Sequence, residues 1–274
     1  MKPIIVPTDF SAAALSAVNY AADMALALDA PLIIVHVYQI PIAVTETANV
    51  MIPVEELEAT AEEHLAALKK DVRHITSNKL QIETEARLGD VAEELESCCL
   101  KHDPFLVIMG TTGHSAFERT VFGSTTLSVI KNSTYPLLAV PKGTEYGTGI
   151  SRIGLAWDFT KTSSGLPLAL IQSIVTAFRA SLDVIHVDTA NDHNTAQPTD
   201  PNVEQVLASV SARYHHVQHH DLGEGINAFA EKNNLDILIT IPRKHSFFES
   251  LFNRSSTNEL IQESHLPVLC IHAE

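Results

Sequence analysis

The sequence predicts an α/β protein made of two doubly wound, parallel-sheet domains in one chain of 274 residues. Two observations support this prediction. First, short apolar runs alternate with longer segments in which apolar residues recur at helical spacing. Second, the same alternation occurs again in the second half of the chain. Strands that are apolar along their full length are typical of parallel sheets with helices on both faces, and ligands bind such sheets at the carboxyl ends of the strands.

The predicted elements of the first half alternate between strands and helices from its start to its end. The first helix begins at Ser11, because serine is a preferred N-cap residue. The second helix is indicated by Leu57, Ala61, Leu65, Leu68 and Val72, whose spacing places them on one helix face. The full prediction is strands over residues 3–7, 32–37, 81–87, 105–109 and 137–140, and helices over residues 11–28, 54–75, 90–101 and 124–131.

The second half of the chain repeats the first. Residues 106–109 align with 237–240, and the alignment continues without a gap to residues 136–140 against 267–271. Upstream, with small changes of offset, residues 9–11 match 158–160, 33–37 match 183–187 and 88–90 match 222–224. A tandem duplication is therefore predicted. We expect domains over residues 1–142 and 151–274, joined by a Gly/Thr-rich linker over residues 143–150.

Charge and composition limit the function classes. Lys and Arg number 18 against 33 Asp and Glu, which gives a formal net charge of −15. Such an acidic chain is unsuited to sequence-independent nucleic-acid binding or to docking on an anionic membrane. No apolar segment is long enough to cross a bilayer. The three cysteines form no paired framework, and the apolar stretch at the N-terminus is short for a signal peptide, so we expect a protein of the cytoplasm.

The most informative motif is Gly110-Thr111-Thr112-Gly113, followed after nine residues by Gly123-Ser124-Thr125. It joins a predicted strand to a predicted helix start. Glycines let backbone amides approach a ligand closely, and a helix N-terminus with hydroxyl side chains suits a phosphate. A tight strand-to-helix connection without a ligand remains the alternative for these glycines. Asp9 and Val37 also follow or end predicted strands, so they are expected to lie at the same sheet edge.

On these residues the chain resembles a tandem universal stress protein over nearly its whole length. Gly110, Gly113, Gly123 and Ser124 fill the family's nucleotide-binding pattern of Gly, two residues, Gly, nine residues and Gly-Ser/Thr. The segment Val6-Pro7-Thr8-Asp9-Phe10-Ser11, the pair His36-Val37 and Pro136 are also typical of the family. The resemblance implies an adenine nucleotide alpha hydrolase-like fold and an intrachain pseudo-dimer whose contact includes the last strand of each half.

The resemblance also implies a binding site for ATP, with or without Mg²⁺, or for AMP or ADP. Asp9 and Val37 would hold the adenine and ribose side, and Met109 would lie with the motif residues along the ribose and phosphates. The full expected set is Pro7, Thr8, Asp9, Val37, Met109, Gly110, Gly113, His114, Gly123, Ser124 and Thr125. From the residues alone, Asp9 could instead be an N-cap or turn residue, and His114 a surface loop residue.

The second half departs from the pattern. Ile241, Lys244 and Arg254 stand at the positions of the three glycines, and Trp157 stands at the position of Thr8. Side chains thus occupy the places where backbone would approach the phosphates. We therefore expect one nucleotide site, in the first half, with the second-half pocket filled by its own side chains.

Three functions remain open at this point. The first is a nucleotide-binding regulatory module of the stress response, with an unidentified protein partner and pseudo-dimers that can pair further as a homodimer. The second is a slow ATPase or phosphotransferase, although no dedicated base is evident near the motif. The third is a nucleotide-free scaffold. No catalytic residue is assigned.

No metal site is expected. His215, His216, His219 and His220 fall in the predicted third strand of the second half. Alternation along a strand would place His216 and His220 on one side and His215 and His219 on the other. A solvated edge strand is therefore preferred over a metal site. The pair Cys98-Cys99 lies late in a predicted helix, where packing is preferred over redox chemistry.

Overall fold

A computed structural model describes residues 1–40, 53–111, 124–157, 166–188, 201–241 and 266–272. Its elements confirm the alternation predicted for the first half. In chain order they are β1 (Ile4–Pro7), α1 (Ala12–Leu28), β2 (Leu32–Tyr38), α2 (Val54–Ile75), β3 (Ile82–Leu88), α3 (Val91–His102), β4 (Leu106–Gly110), α4 (Ser124–Asn132) and β5 (Leu137–Val140). Ser11 caps α1 as predicted, because its Oγ accepts a hydrogen bond from the backbone N–H of Ala14.

The second half repeats this order within the described residues. Its elements are β6 (Arg152–Ala156), α5 (Leu168–Phe178), β7 (Ser181–Asp188), α6 (Pro201–Ser209), β8 (Arg213–Gln218), α7 (Leu222–Asn233), β9 (Ile237–Thr240) and β10 (Val268–Cys270). No helix of the described ranges is both long enough and apolar enough to span a membrane.

One ten-stranded sheet runs through the described residues of both halves, in the order β3-β2-β1-β4-β5-β10-β9-β6-β7-β8. The pairing is parallel inside each half. It is antiparallel only where β5 meets β10, with Leu138 opposite Leu269. The last strands of the two halves therefore join them, as the pseudo-dimer prediction required. The order reverses after β1 and after β6, which are the switch points where doubly wound sheets bind ligands.

The sheet separates two apolar layers. Alternate strand residues face opposite sides, so Ile4 and Val6 pack with α1 and α2 whereas Ile5 packs with α3 and α4. Cys98 and Cys99 are buried in the second of these layers. Burial raises the pKa of Cys98 to about 11 and of Cys99 to about 12, so both are protonated thiols at neutral pH, as the packing interpretation predicted.

The structure corrects one register of the repeat. Asp90 caps α3 and Asp221 caps α7, each by accepting hydrogen bonds from the backbone N–H groups of the second and third residues of its helix. Residues 88–90 therefore match 219–221 rather than 222–224. The offset that relates residues 106–109 to 237–240 thus extends upstream without a gap through both of these helices. The predicted match was wrong because it rested on a short Leu-Gly pair.

The segment 143–150 packs onto the first half. The backbone N–H of Gly143 donates to Ser16 Oγ at 3.1 Å, and the ring of Tyr146 contacts the ring of Tyr20 edge-on at a centroid distance of 5.4 Å. Burial is the largest factor that raises the pKa of Tyr20. This segment lacks regular secondary structure, and its contacts hold it against α1.

Candidate functional site

A cavity of about 260 Å³ opens at the carboxyl ends of β1, β2 and β4. This volume lies just below the range of roughly 300–1,000 Å³ that is common for small-molecule sites. Its described lining is Pro7, Thr8, Asp9, Ser11, Ala13, Ala14, Val37, Val91, Met109, Gly110, Thr125 and Thr126. The lining combines apolar walls with one carboxylate and several hydroxyls. The described lining residues offer an anion backbone N–H groups and hydroxyls.

The turn between β1 and α1 forms one wall and is held by local hydrogen bonds. Thr8 is buried, and its Oγ1 accepts from the backbone N–H of Phe10 at 3.0 Å. Asp9 is exposed to solvent in the cavity mouth, and its Oδ1 accepts from the N–H of Ser11 at 3.0 Å. One carboxylate oxygen of Asp9 therefore has the turn role that the sequence allowed. The same residue also lines the cavity.

Two histidine rings, those of His36 and His64, hold this turn from the side. The Nδ1–H of His36, on β2, donates to the carbonyl oxygen of Thr8 at 2.8 Å. The ring of Phe10 lies 4.6 Å from the His36 ring and 5.3 Å from the ring of His64, between centroids. Phe10 has a φ of 62°, which is unfavourable for a bulky residue and persists only where surrounding contacts impose it. The strained turn is what presents Asp9 to the cavity.

The opposite wall is the end of β4 against the first turn of α1. A Cβ atom at Gly110 would lie 2.4 Å from the carbonyl oxygen of Ala13, a separation that backbone atoms cannot accommodate. Thr126 Oγ1 donates to the carbonyl oxygen of Gly110 at 3.2 Å, which fastens the start of α4 to the end of β4. The glycine is therefore required by packing between two elements, whatever occupies the cavity.

The described cavity brings together most of the predicted site residues. Those that line it are Pro7, Thr8, Asp9, Val37, Met109, Gly110 and Thr125. Ser124 begins α4, and only its backbone is described. Gly113, His114 and Gly123 lie outside the described residues. Sequence reasoning missed Ser11, Ala13, Ala14, Val91 and Thr126, although the predicted N-cap at Ser11 already indicated a helix start at this edge.

Large side chains occupy the corresponding place in the second half. Trp157 and Ile241 are only 8% and 9% exposed, and Val187 is buried beside this edge of the sheet. The Nδ1–H of His186 donates to the carbonyl oxygen of Trp157 at 3.3 Å, as His36 does to Thr8. This hydrogen bond is therefore repeated in the two halves, whereas the side chains at the positions of Thr8 and Gly110 differ. Asp158, Lys244, Arg254 and Ser255 lie outside the described residues.

Glu85, on β3, centres a cluster of charges away from the cavity. Its carboxylate accepts hydrogen bonds from Lys101 Nζ and His102 Nε2 at 2.6 Å each and from Arg87 Nε at 3.0 Å. Partial burial by itself raises the pKa of Glu85, but these donors outweigh it and lower the pKa to about 2. Glu85, Cys98 and His102 are close enough to ligate a metal, yet the neighbouring Lys101 and Arg87 cations disfavour one.

The histidine pattern of the second half is partly as predicted. β8 is an edge strand, and the Nε2–H of His215 donates to the buried carboxylate of Asp183 at 2.8 Å. The strand ends at Gln218, however, so alternation does not apply to His219 and His220. Their rings stack at a centroid distance of 4.4 Å beside Glu224. The expectation that these two side chains diverge is wrong.

The sequence matches one protein family in both halves. The model of the universal stress protein family matches residues 1–141 and again residues 150–272. A universal stress protein of Methanocaldococcus jannaschii is 34% identical over 146 residues, which are 52% of this chain and 82% of that protein.

Solved structures share the fold over the whole chain. The crystal structure of a universal stress protein from Archaeoglobus fulgidus has a TM-score of 0.75 at 18% identity and covers 98% of both chains. A functionally unknown protein of Pseudomonas aeruginosa has a TM-score of 0.63 at 11% identity, covering all of this chain and 93% of its own. At these identities the likeness establishes the fold alone.

Proposed function

The chain belongs to the universal stress protein family, and from this premise we propose that its first half binds an adenine nucleotide, with ATP as the principal ligand. The observation that supports the proposal most is the cavity at the ends of β1, β2 and β4. Its lining includes both residues assigned to the adenine and ribose side, Asp9 and Val37. It also includes Gly110 and Thr125 from the glycine motif.

The chemistry of the lining suits the parts of a nucleotide. The exposed carboxylate of Asp9 accepts from ribose hydroxyls or the adenine amine, and Val37 and Met109 supply apolar surface for the base. The phosphates lie toward the start of α4, where helix N–H groups and the hydroxyl of Thr125 favour an anion. Gly113, His114, Gly123 and Ser124 complete this side in the proposal. Mg²⁺ accompanies ATP, and ADP and AMP are further candidate ligands.

The proposed role is that of a regulatory binding module of the stress response in the cytoplasm. Nucleotide occupancy would be read by a protein partner, and the pseudo-dimers would pair further as a homodimer. The proposed domains are residues 1–142 and 151–274. One site per chain is proposed, because the bulky side chains of Trp157 and Ile241 stand at the positions of Thr8 and Gly110, two of the residues that line the cavity of the first half.

Mass spectrometry of the denatured purified protein and titration calorimetry with ATP test the proposal together. We expect co-purified ATP and a stoichiometry of one. Co-purified ADP would favour slow hydrolysis, and a chain that neither carries nor binds nucleotide would favour the scaffold function. Asp9→Asn should weaken ATP binding at least about tenfold, the equivalent of roughly 1.4 kcal/mol. Asp158→Asn is the matched control in the second half, and two equivalent sites, or a loss of binding in this control, would overturn the single-site proposal.

A further inference from the structure

The loop between β8 and α7 brings two imidazoles and a carboxylate to one point. His220 Nε2 lies 3.3 Å from Glu224 Oε2, and His219 Nε2 lies 3.7 Å from the same oxygen. The three side chains each offer a ligand atom, and all of these atoms lie within 4.8 Å of one another. We propose that His219, His220 and Glu224 bind a divalent transition-metal ion of the zinc type.

The spacing matches what a tetrahedral ion requires. Zinc binds imidazole nitrogen and carboxylate oxygen at about 2.0–2.2 Å, so its ligand atoms lie about 3.3–3.6 Å apart. The measured separation of 3.3 Å lies at the lower end of that range, and the separation of 3.7 Å lies just above it. The rings of His219 and His220 are inclined by only 27° to each other. Because the rings are stacked, one imidazole must rotate before both Nε2 lone pairs face one ion, and the exposed His220 side chain has room to do so.

His219 is oriented as metal-bound histidines commonly are. Its Nδ1 lies 2.9 Å from the carbonyl oxygen of Asp221, which can only accept a hydrogen bond. Donation by Nδ1–H leaves the lone pair on Nε2, the atom that faces Glu224. The backbone also makes room for this histidine, because a Cβ at Gly225 would lie 2.9 Å from the Cβ of His219.

Glu224 faces the two histidines instead of making the capping contact that is usual for a glutamate at the third position of a helix. It lies in the first turn of α7, three residues after the cap Asp221, where a glutamate ordinarily reaches back to the N–H of the cap residue. Here the N–H of Asp221 is directed at His219 Nδ1, at 3.2 Å, and the carboxylate faces the two Nε2 atoms. His219 Nδ1 can either donate to the carbonyl oxygen of Asp221 or accept from its N–H, depending on the tautomer. A metal bound at Nε2 requires the tautomer with the proton on Nδ1, which donates to the carbonyl oxygen.

The set of ligands indicates the class of ion. Two imidazoles and one carboxylate suit Zn²⁺ and, among other first-row ions, Ni²⁺ and Cu²⁺, rather than Mg²⁺ or Ca²⁺. The side chain of His220 is 79% exposed, so water can complete the coordination. The first half provides a natural comparison. In the corrected register Leu88 and Gly89 replace the histidines, while Glu93 matches Glu224.

The test uses the full chain after treatment with a chelator, titrated with ZnCl₂ by calorimetry. We expect one site that is tighter than any other in the wild-type protein. Glu224→Gln and His220→Asn should each weaken that site at least about tenfold. Glu93→Gln, the matched control, should leave it unchanged. Circular dichroism confirms that these surface variants remain folded.

Co²⁺ supplies a second readout, because tetrahedral Co²⁺ absorbs visible light far more strongly than octahedral Co²⁺. We expect this absorption in the wild-type chain and in Glu93→Gln, and its loss in Glu224→Gln. Equal zinc affinity in the wild-type chain and Glu224→Gln would overturn the proposal. The same conclusion would follow if Glu93→Gln weakened binding as much as Glu224→Gln does.

Discussion

Gly110 and Ala13 meet backbone to backbone: a Cβ atom on Gly110 would lie 2.4 Å from the carbonyl oxygen of Ala13. The end of β4 and the first turn of α1 are therefore as close as two main chains allow, and the cavity at the ends of β1, β2 and β4 lies beside this contact. Ile241 takes the place of Gly110 in the second half. A buried isoleucine cannot make the same approach, and α5 begins only at Leu168, after a cap at Pro167.

Gly110→Ala should destabilise the protein by about 1–3 kcal/mol, because the new methyl group must push α1 away from β4. The displacement should also weaken ATP binding. Urea unfolding and calorimetry on the same samples measure both effects. Gly154→Ala is the comparison, since its methyl group would meet the end of the Leu235 side chain, which can rotate. We expect that variant to bind ATP normally, and unchanged stability and affinity in Gly110→Ala would contradict the packing argument.

Gly113→Lys should abolish nucleotide binding while the fold is retained. The change copies the second half, where Lys244 stands at the same position, and it puts a side chain where backbone must approach the phosphates. Calorimetry with ATP measures the loss, and thermal unfolding checks the fold. Thr148→Lys adds the same charge to the exposed linker and should bind ATP as the wild type does. Retained affinity in folded Gly113→Lys would show that the site lies elsewhere.

Glu85→Gln should lower the free energy of unfolding by about 1–3 kcal/mol at neutral pH, because Lys101, His102 and Arg87 lose their shared carboxylate. The folded pKa of about 2 lies below the ordinary value of 4.5. Glu85 therefore stabilises the protein fully above pH 4.5, and this contribution is lost as the pH falls toward 2.

The difference in stability between wild type and Glu85→Gln should accordingly shrink across this pH window. Urea unfolding at a series of pH values measures the effect. Glu83→Gln changes an exposed residue of the same strand and should have little effect at any pH. A difference that stays constant from pH 7 to pH 2 would rule out the proposed role of the Glu85 carboxylate.

Asp183→Asn should cost about 3–5 kcal/mol, because it removes the charge from a carboxylate that is 1% exposed and leaves its partners behind. Arg213 and His215 lie 2.8 Å from its oxygens, and Arg152 lies 3.6 Å away. Asp103→Asn breaks an exposed ion pair with Lys2 and should cost less than about 1 kcal/mol. Urea unfolding compares the two variants, and equal effects would show that burial does not strengthen the Asp183 cluster.

The candidate site was predictable as far as local sequence rules apply. An apolar run locates the end of β1, and a serine cap locates the start of α1. Because parallel strands bring their carboxyl ends to one edge of the sheet, Asp9 and Val37 line the same cavity. The role of Gly110 was not predictable in the same way. Its motif suggests room for a ligand, whereas the structure shows an obligatory contact with Ala13, a residue remote in sequence.

The sequence by itself determined the order of strands and helices, the duplication and the asymmetry between the two glycine patterns, because these follow from periodicity and residue type. Only the tertiary structure decided how β5 meets β10, which cations surround Asp183, and that His219 and His220 converge on Glu224. These contacts depend on where a strand ends and on which distant side chains share one buried space. Because β8 ends at Gln218, strand alternation does not apply to His219 and His220, and only packing fixes that end.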